Sequence, residues 1–241
     1  MEVAAEDQAL YAIVSGKAPE TIADVIVTMQ RIDATLADDD GLKWFNRLYL
    51  MVTQEVDMRP PIGGWRDADW LLTLDVVFAG MYLRAVAGYL NGEDDVPSSW
   101  QALMEARHRT GVDRIQFALA GMNAHINRDL ALALLTTDAQ KSVFPAADGP
   151  QHADYEAVNE LLNAVMPGEL TMLAVDTLGV LAQDTGTVGR LLAFWDICKA
   201  RELAWNFADY LRGVPAPARM LAAGAQDQMT GVVGRAILAF V

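Results

Sequence analysis

Apolar residues in this chain recur three and four positions apart along nearly its whole length. No segment shows the strict apolar–polar alternation of a half-buried strand, and no unit of 20–50 residues repeats. That single period confines the chain to packed helices. The expected fold is all-α: a single-domain bundle of roughly eight or nine helices around an apolar core or pocket. One domain over residues 1–241 is preferred. The irregular stretch from Phe144-Pro145 to Gly149-Pro150 is the only place where subdomains would part, and the two most apolar helices lie together before it.

Helix boundaries follow from local chemistry. Glu6 to Val14 is a short amphipathic stretch closed by Ser15-Gly16, and a second helix opens at Pro19 and runs through Ile22, Val25, Met29 and Ile32. Asp38-Asp39-Asp40 offers a cap to a third helix, which Arg59-Pro60-Pro61 ends. Asp67–Tyr89 and Asp113–Leu135 are apolar on most faces and therefore central. Between them, Ser98 or Ser99 caps a short helix through Trp100 and Met104. Beyond the irregular stretch the pattern predicts helices over Asp154–Val165, Glu169–Leu181 and Thr187–Leu211, then a last one after Pro217.

Charge excludes whole classes of partner. Asp and Glu number 32 against 18 Lys and Arg, a net charge of −14, whereas nucleic acids and anionic membranes require clustered basic residues. The longest apolar stretch, Trp70 to Val86, is interrupted by Asp75 and Arg84, so no membrane span is expected. The segment Met1–Asp7 is acidic where a secretory signal would be basic, and the expected location is cytoplasmic. A single cysteine, Cys198, excludes an internal disulfide and any multi-cysteine metal site, and is expected to be a buried, inert thiol.

The segment that carries chemistry is Asn123-Ala124-His125-Ile126-Asn127-Arg128-Asp129. On a helix His125 and Asp129 share a face, and Asn123 and Asn127 form a second pair beside them. Unpaired burial of such groups costs roughly 1–3 kcal/mol each, more for the charged ones, so each must meet a partner, water or a ligand. Gly121, one turn earlier, suits a close approach by another backbone or a ligand. Three readings stay open: His125 as general acid or base with Asp129 fixing its tautomer, His125 and Asp129 as metal ligands, or a satisfied network locking two helices together. With only three histidines, His108, His125 and His152, a multi-zinc site is not expected.

Further polar residues interrupt apolar helices. Asp75 lies two turns before Tyr82, and an ion pair with Arg107, Arg114 or Arg201 would satisfy it. Asn46, Tyr49 and Thr53 line one side of the third helix, where helix–helix hydrogen bonding is the ordinary role. Asp154 reads as a helix cap and His108 as a structural residue at a helix end. Asp38-Asp39-Asp40 faintly resembles the magnesium-holding cluster of terpene cyclases, but lacks a matching second motif and reads as a cap. Dinucleotide, P-loop, nucleophile-elbow and His-Glu-x-x-His motifs are absent.

At Asn-Ala-His-Ile-Asn-x-Asp-Leu (residues 123–130) the chain resembles an uncharacterised bacterial family, a domain of unknown function. Trp44 to Leu50, Leu74 to Ala79, His152 to Tyr155 and Ala200 to Trp205 are similar to the same family. The resemblance implies an all-helical soluble protein and brings no established activity or cofactor. Bacteria with such proteins often have rich specialised metabolism, which associates the family with tailoring or cyclising enzymes.

The expected function is therefore a cofactor-independent cyclase, isomerase or dehydratase acting on an apolar small molecule. His125 moves the proton, Asp129 orients it, and Asn123 and Asn127 form a polar floor, with Asn46, Tyr49, Asp75 and Tyr82 also facing the substrate. The alternatives are a mononuclear metal-dependent hydrolase, with His152 or Asp75 completing the ligands, and a non-catalytic helical scaffold. The apolar C-terminal helix, Gly231–Val241, serves either a homodimer or the core.

Overall fold

The computed structural model describes residues 5–178 and 196–239, with backbone alone over 165–178. Every regular element among the described residues is helical: α1 Ala5–Val14, α2 Ile22–Thr35, α3 Gly41–Met58, α4 Ala68–Leu90, α5 Ser98–Ala106, α6 Arg114–Ala124, α7 Ala131–Lys141, α8 Pro150–Leu178, α9 Ile197–Gly213 and α10 Ala216–Ala239. A π-helical turn, His125–Leu130, joins α6 to α7 without a break, so the two form one rod and the described residues form nine. The all-α single-domain architecture read from the sequence is the observed one. One core cluster runs from Leu10 to Leu238 and includes residues on both sides of the 144–150 stretch, Leu134 and Tyr155 among them.

The caps show why these segments start where they do. Thr21, not Pro19, begins α2: its hydroxyl accepts from the Asp24 amide while the Asp24 carboxylate accepts from the Thr21 amide. Asp40 caps α3 through the Leu42 amide at 2.9 Å, which gives the acidic triplet its ordinary role. Two caps come from distant helices. The α5 amides of Ser98 and Ser99 are taken by Asp227 of α10, displacing the expected serine caps. Asp154 does not cap its own helix, which starts four residues earlier at Pro150; its carboxylate accepts from the Arg66 and Asp67 amides ahead of α4.

The expected break between Val165 and Glu169 does not occur, and α8 continues to Leu178. Pro167 removes one hydrogen bond from a 29-residue rod, which does not oblige it to end. The expected Thr187–Leu211 helix begins among residues outside the described ones, and its described part is α9, capped by Asp196.

Packing is densest where α6 lies against α3 and α10 and where α10 lies against α5. A glycine on each of α3 and α6 receives a phenylalanine from the other. A Cβ on Gly41 would stand 2.3 Å from the Phe117 ring, and one on Gly121 2.3 Å from the Phe45 ring. Gly121 thus admits an aromatic side chain, not a backbone or a ligand. By length and composition the 23-residue α4 would suffice to cross a bilayer; in this fold it is a central rod with Trp70, Leu71, Leu74 and Tyr82 sealed. The inner face of α10 also belongs to the core, with Gly231 against Ser98 and Gly234 against Ala102.

Candidate functional site

His125 is completely buried at the start of the π turn, where one extra residue per turn shifts the side chains that follow. Its ring stacks on Phe78 of α4 with centroids 3.5 Å apart and planes 6° apart. Tyr49 meets it edge-on at 4.5 Å, and Phe45 and Trp100 close the remaining sides at 5.7 and 6.0 Å. The imidazole therefore sits in an aromatic cage supplied by α3, α4 and α5.

Both i, i+4 pairs expected from the sequence form. His125 Nδ1 lies 3.2 Å from Asp129 Oδ2, and Asn127 Nδ2 donates to Asn123 Oδ1 at 3.0 Å. Asp129 is saturated: Trp100 Nε1 donates to Oδ2 at 2.8 Å and Arg128 Nη1 to Oδ1 at 2.6 Å. A carboxylate so placed holds the imidazole proton on Nδ1 and leaves the Nε2 lone pair free. That Nε2 is buried and has no hydrogen-bond partner among the described residues. Burial pulls the His125 pKa below the ordinary histidine value, and the hydrogen bond and charge of Asp129 only partly oppose it. His125 is thus a neutral imidazole with a fixed tautomer and an unused basic nitrogen.

The asparagines are in a different position. Asn123 Nδ2 donates to the Thr230 carbonyl of α10 at 2.9 Å, and Gln226 Nε2 donates to the Asn127 carbonyl at 2.9 Å. The Asn123 side chain and the Asn127 backbone carbonyl thus join the α6–α7 rod to α10, the Asn127 side chain bonds back to Asn123, and neither asparagine forms the floor of an open pocket. None of the four grooves lined by Gln101, Ala85, Val77 and Phe117 respectively includes His125, Asn123, Asn127 or Asp129 in its wall. The nearest approach is through Arg128, which walls two of them, of about 610 and 330 Å³, while its guanidinium reaches inward to Asp129.

Asn46 and Tyr82 satisfy each other. Asn46 Nδ2 donates to the Met29 carbonyl at 2.9 Å, and Tyr82 Oη donates to Asn46 Oδ1 at 3.3 Å. Burial raises the Tyr82 phenol far above its usual range. Tyr49 is nearly sealed, and its phenol is raised by burial first and by the Asp75 and Asp129 charges next.

Asp75 forms none of the expected ion pairs. Arg107 pairs with Asp7 and Asp40, Arg114 lies over the Trp44 ring, and Arg201 donates to Asn159 Oδ1 and the Tyr155 carbonyl. These arginines are held by nearer partners on their own sides of the fold. Asp75 Oδ2 is buried without a hydrogen-bond partner among the described residues, although the residue as a whole keeps some solvent contact. Burial pushes its carboxyl up to about 7; the Arg201 charge opposes the rise and Asp57 adds to it.

His152 stands apart, packed on Trp205 at 4.6 Å with Glu156 3.8 Å from its Nε2. Among the described residues no three His, Cys, Asp or Glu side chains gather where they could hold a metal ion, so the ligand set of the metal alternative is not assembled there. His108 accepts from Arg107 Nε beyond the end of α5, a structural contact. Cys198 is half-buried, its thiol donates to the Asn159 carbonyl, and burial raises its pKa, which keeps it a poor nucleophile.

Sequence reasoning missed Trp100, Phe78 and Asp227, which anchor Asp129, cover His125 and cap α5. Only Asp227 carried a signal: it and Arg235 are the sole charges between Met220 and Ala239.

The profile of a family described as "Family of unknown function (DUF5995)" matches residues 22–240, and the chain belongs to that family. No curated protein and no solved structure matches the chain.

Proposed function

We propose that this member of the DUF5995 family binds a small apolar molecule beside Tyr49 and transfers a proton on it, as an isomerase, cyclase or dehydratase does. The observation that carries this reading is a pair of buried titratable atoms without a hydrogen-bond partner among the described residues, His125 Nε2 and Asp75 Oδ2, whose residues both act on Tyr49: the imidazole meets its ring edge-on and the Asp75 charge raises its phenol. Buried polar groups are paired as a rule, and the exceptions cluster where a ligand completes them.

The division of labour follows from the environments. Neutral His125, its tautomer fixed by Asp129, is the base: Nε2 takes a proton from carbon next to a carbonyl, and Asp129 stabilises the imidazolium that results. Asp75, raised to about 7, retains a proton near neutrality and is the acid that donates to the carbonyl oxygen as the enol forms. Returning the proton to a different carbon completes an isomerisation, and expelling a hydroxyl completes a dehydration. Phe78, Tyr49 and Phe45 supply apolar contact for the substrate. All the groups involved are side chains of this chain, and the chemistry calls on no cofactor.

A non-catalytic scaffold is the second reading, favoured by the full pairing of Asn123 and Asn127 and by the close packing around His125. One experiment separates the two. Cyclohexanone, an apolar ketone, is incubated with the protein in D2O and deuterium uptake at its α-carbons is followed by NMR. The enzymatic reading expects uptake above the buffer rate that saturates with ketone and falls at least about tenfold in His125→Gln. Uptake at the buffer rate, or uptake unchanged in His125→Gln, leaves the scaffold.

A further inference from the structure

The sealed centre of the α6–α7 rod has a charge to balance. Asp129 is completely buried, and a carboxylate in such a place stays ionised only beside an opposite charge. Two neighbours on the rod can supply that charge. The Arg128 guanidinium donates to Oδ1 at 2.6 Å, and the His125 imidazole stands 3.2 Å from Oδ2. With Arg128 in place the carboxylate is answered, and His125 needs no second proton. Without it, the same carboxylate draws a proton onto the imidazole.

We infer that Arg128 is a positioning residue for His125: by answering Asp129 it keeps the imidazole uncharged and Nε2 free to accept a proton. Three observations support this. The guanidinium is held from both sides, Nη1 on Asp129 and Nε 3.9 Å from Asp227 Oδ1, and Asp227 is itself fixed to α5 by the Ser98 and Ser99 amides and the Ser99 hydroxyl. The same helix α5 supplies Trp100, whose indole donates to Asp129 Oδ2, so the carboxylate cannot follow the guanidinium outward without losing that bond. No other cation faces the imidazole from the helices whose rings pack on it. Tyr49 of α3 and Tyr82 of α4 are phenols that burial holds in their protonated form, Asp75 of α4 acts on the Tyr49 phenol, and α5 brings the Trp100 indole, which does not titrate. Burial of His125 works in the same direction as Arg128, against the imidazolium. What this does for catalysis rests on the proton-transfer reading, in which an imidazolium at rest could not act as base; what it does to the charge of His125 does not.

The charge on His125 is read without any substrate. Nitrogen-15 NMR of the full chain, labelled in its histidines and titrated with acid, reports the proton on each ring nitrogen. His108 and His152 lie elsewhere, against Arg107 and Trp205, and serve as references. In the wild type His125 is expected to be neutral at pH 7, with its proton on Nδ1. Arg128→Gln is expected to raise its titration midpoint by at least about one pH unit, a tenfold gain in proton affinity, while His108 and His152 stay in place. Arg128→Lys keeps the charge and is expected to keep the midpoint near the wild-type value, a rescue that a purely structural role for the side chain does not give. An imidazolium at pH 7 in the wild type overturns the inference even if Arg128→Gln fails to fold. So does an unmoved midpoint in Arg128→Gln, an equal rise in Arg128→Lys, or a proton that Arg128→Gln takes up on the Asp129 carboxyl, seen by carbon-13 NMR. Deuterium uptake into cyclohexanone is a separate readout: the expected shift without uptake removes the catalytic reading and supports this one, and uptake with an unmoved midpoint does the reverse.

Discussion

Seven residues of one rod face two different environments. Toward α5 and α10 every polar group is answered: Asn123 by Thr230, Asn127 by Asn123, and Asp129 by Trp100, Arg128 and His125. Toward α3 and α4 the rod meets aromatic rings, and two polar atoms there, His125 Nε2 and Asp75 Oδ2 of α4, find no hydrogen-bond partner among the described residues. Burial alone does not tell the two apart, since Asn123, Asp129 and His125 are all sealed. Pairing does. A buried group with its full set of hydrogen bonds holds helices together, while one that lacks a partner is the place to look for a ligand.

The sharpest way to break this contrast is on the paired side. Asp129→Ala leaves Trp100 Nε1, Arg128 and His125 Nδ1 facing a void, and removing one member of such a buried charged network costs about 3–5 kcal/mol. Urea denaturation reads this directly, and a loss under about 1 kcal/mol would mean that Asp129 is not the hub it looks to be. Asn123→Ala strands the Thr230 carbonyl and the Asn127 amide and should cost about 2 kcal/mol by the same measurement. If it costs nothing, the paired side is replaceable and the contrast fails from that direction.

How far the sequence revealed these two sides depends on the range of the interactions. The helical period, the Asp40 cap and both i, i+4 pairs were legible because each is settled within one or two turns of chain. Asp227 and Asp154, which cap helices more than eighty residues away in sequence, were misread or missed because a cap in trans leaves no local trace. Asp75 was assigned an ion pair because a carboxylate in an apolar helix ordinarily needs one, yet each candidate arginine is held elsewhere. The π turn itself was invisible, since nothing in His-Ile-Asn-Arg-Asp-Leu departs from ordinary helix formers strongly enough to announce the extra residue.

The unpaired side is tested by pH. The Asp75 carboxyl titrates at about 7 in the folded protein against an ordinary 3.8, so between those values the folded state holds a proton that the unfolded chain has released. Stability therefore falls as pH rises through that window, and above pH 7 the folded protein bears the full cost of an ionised, unpartnered carboxylate. Asp75→Asn removes that cost. Because the residue keeps some solvent contact, screening trims the gain to about 1 kcal/mol at pH 8, shrinking toward zero at pH 4. His125 shifts in the opposite sense, its lowered pKa taking stability away as pH falls below about 6.5, but it is present in both proteins and cancels in the difference. A gain that does not change with pH, or a loss at pH 8, would mean that the Asp75 carboxylate is satisfied when charged. The contrast between an answered and an unanswered side would then rest on His125 alone.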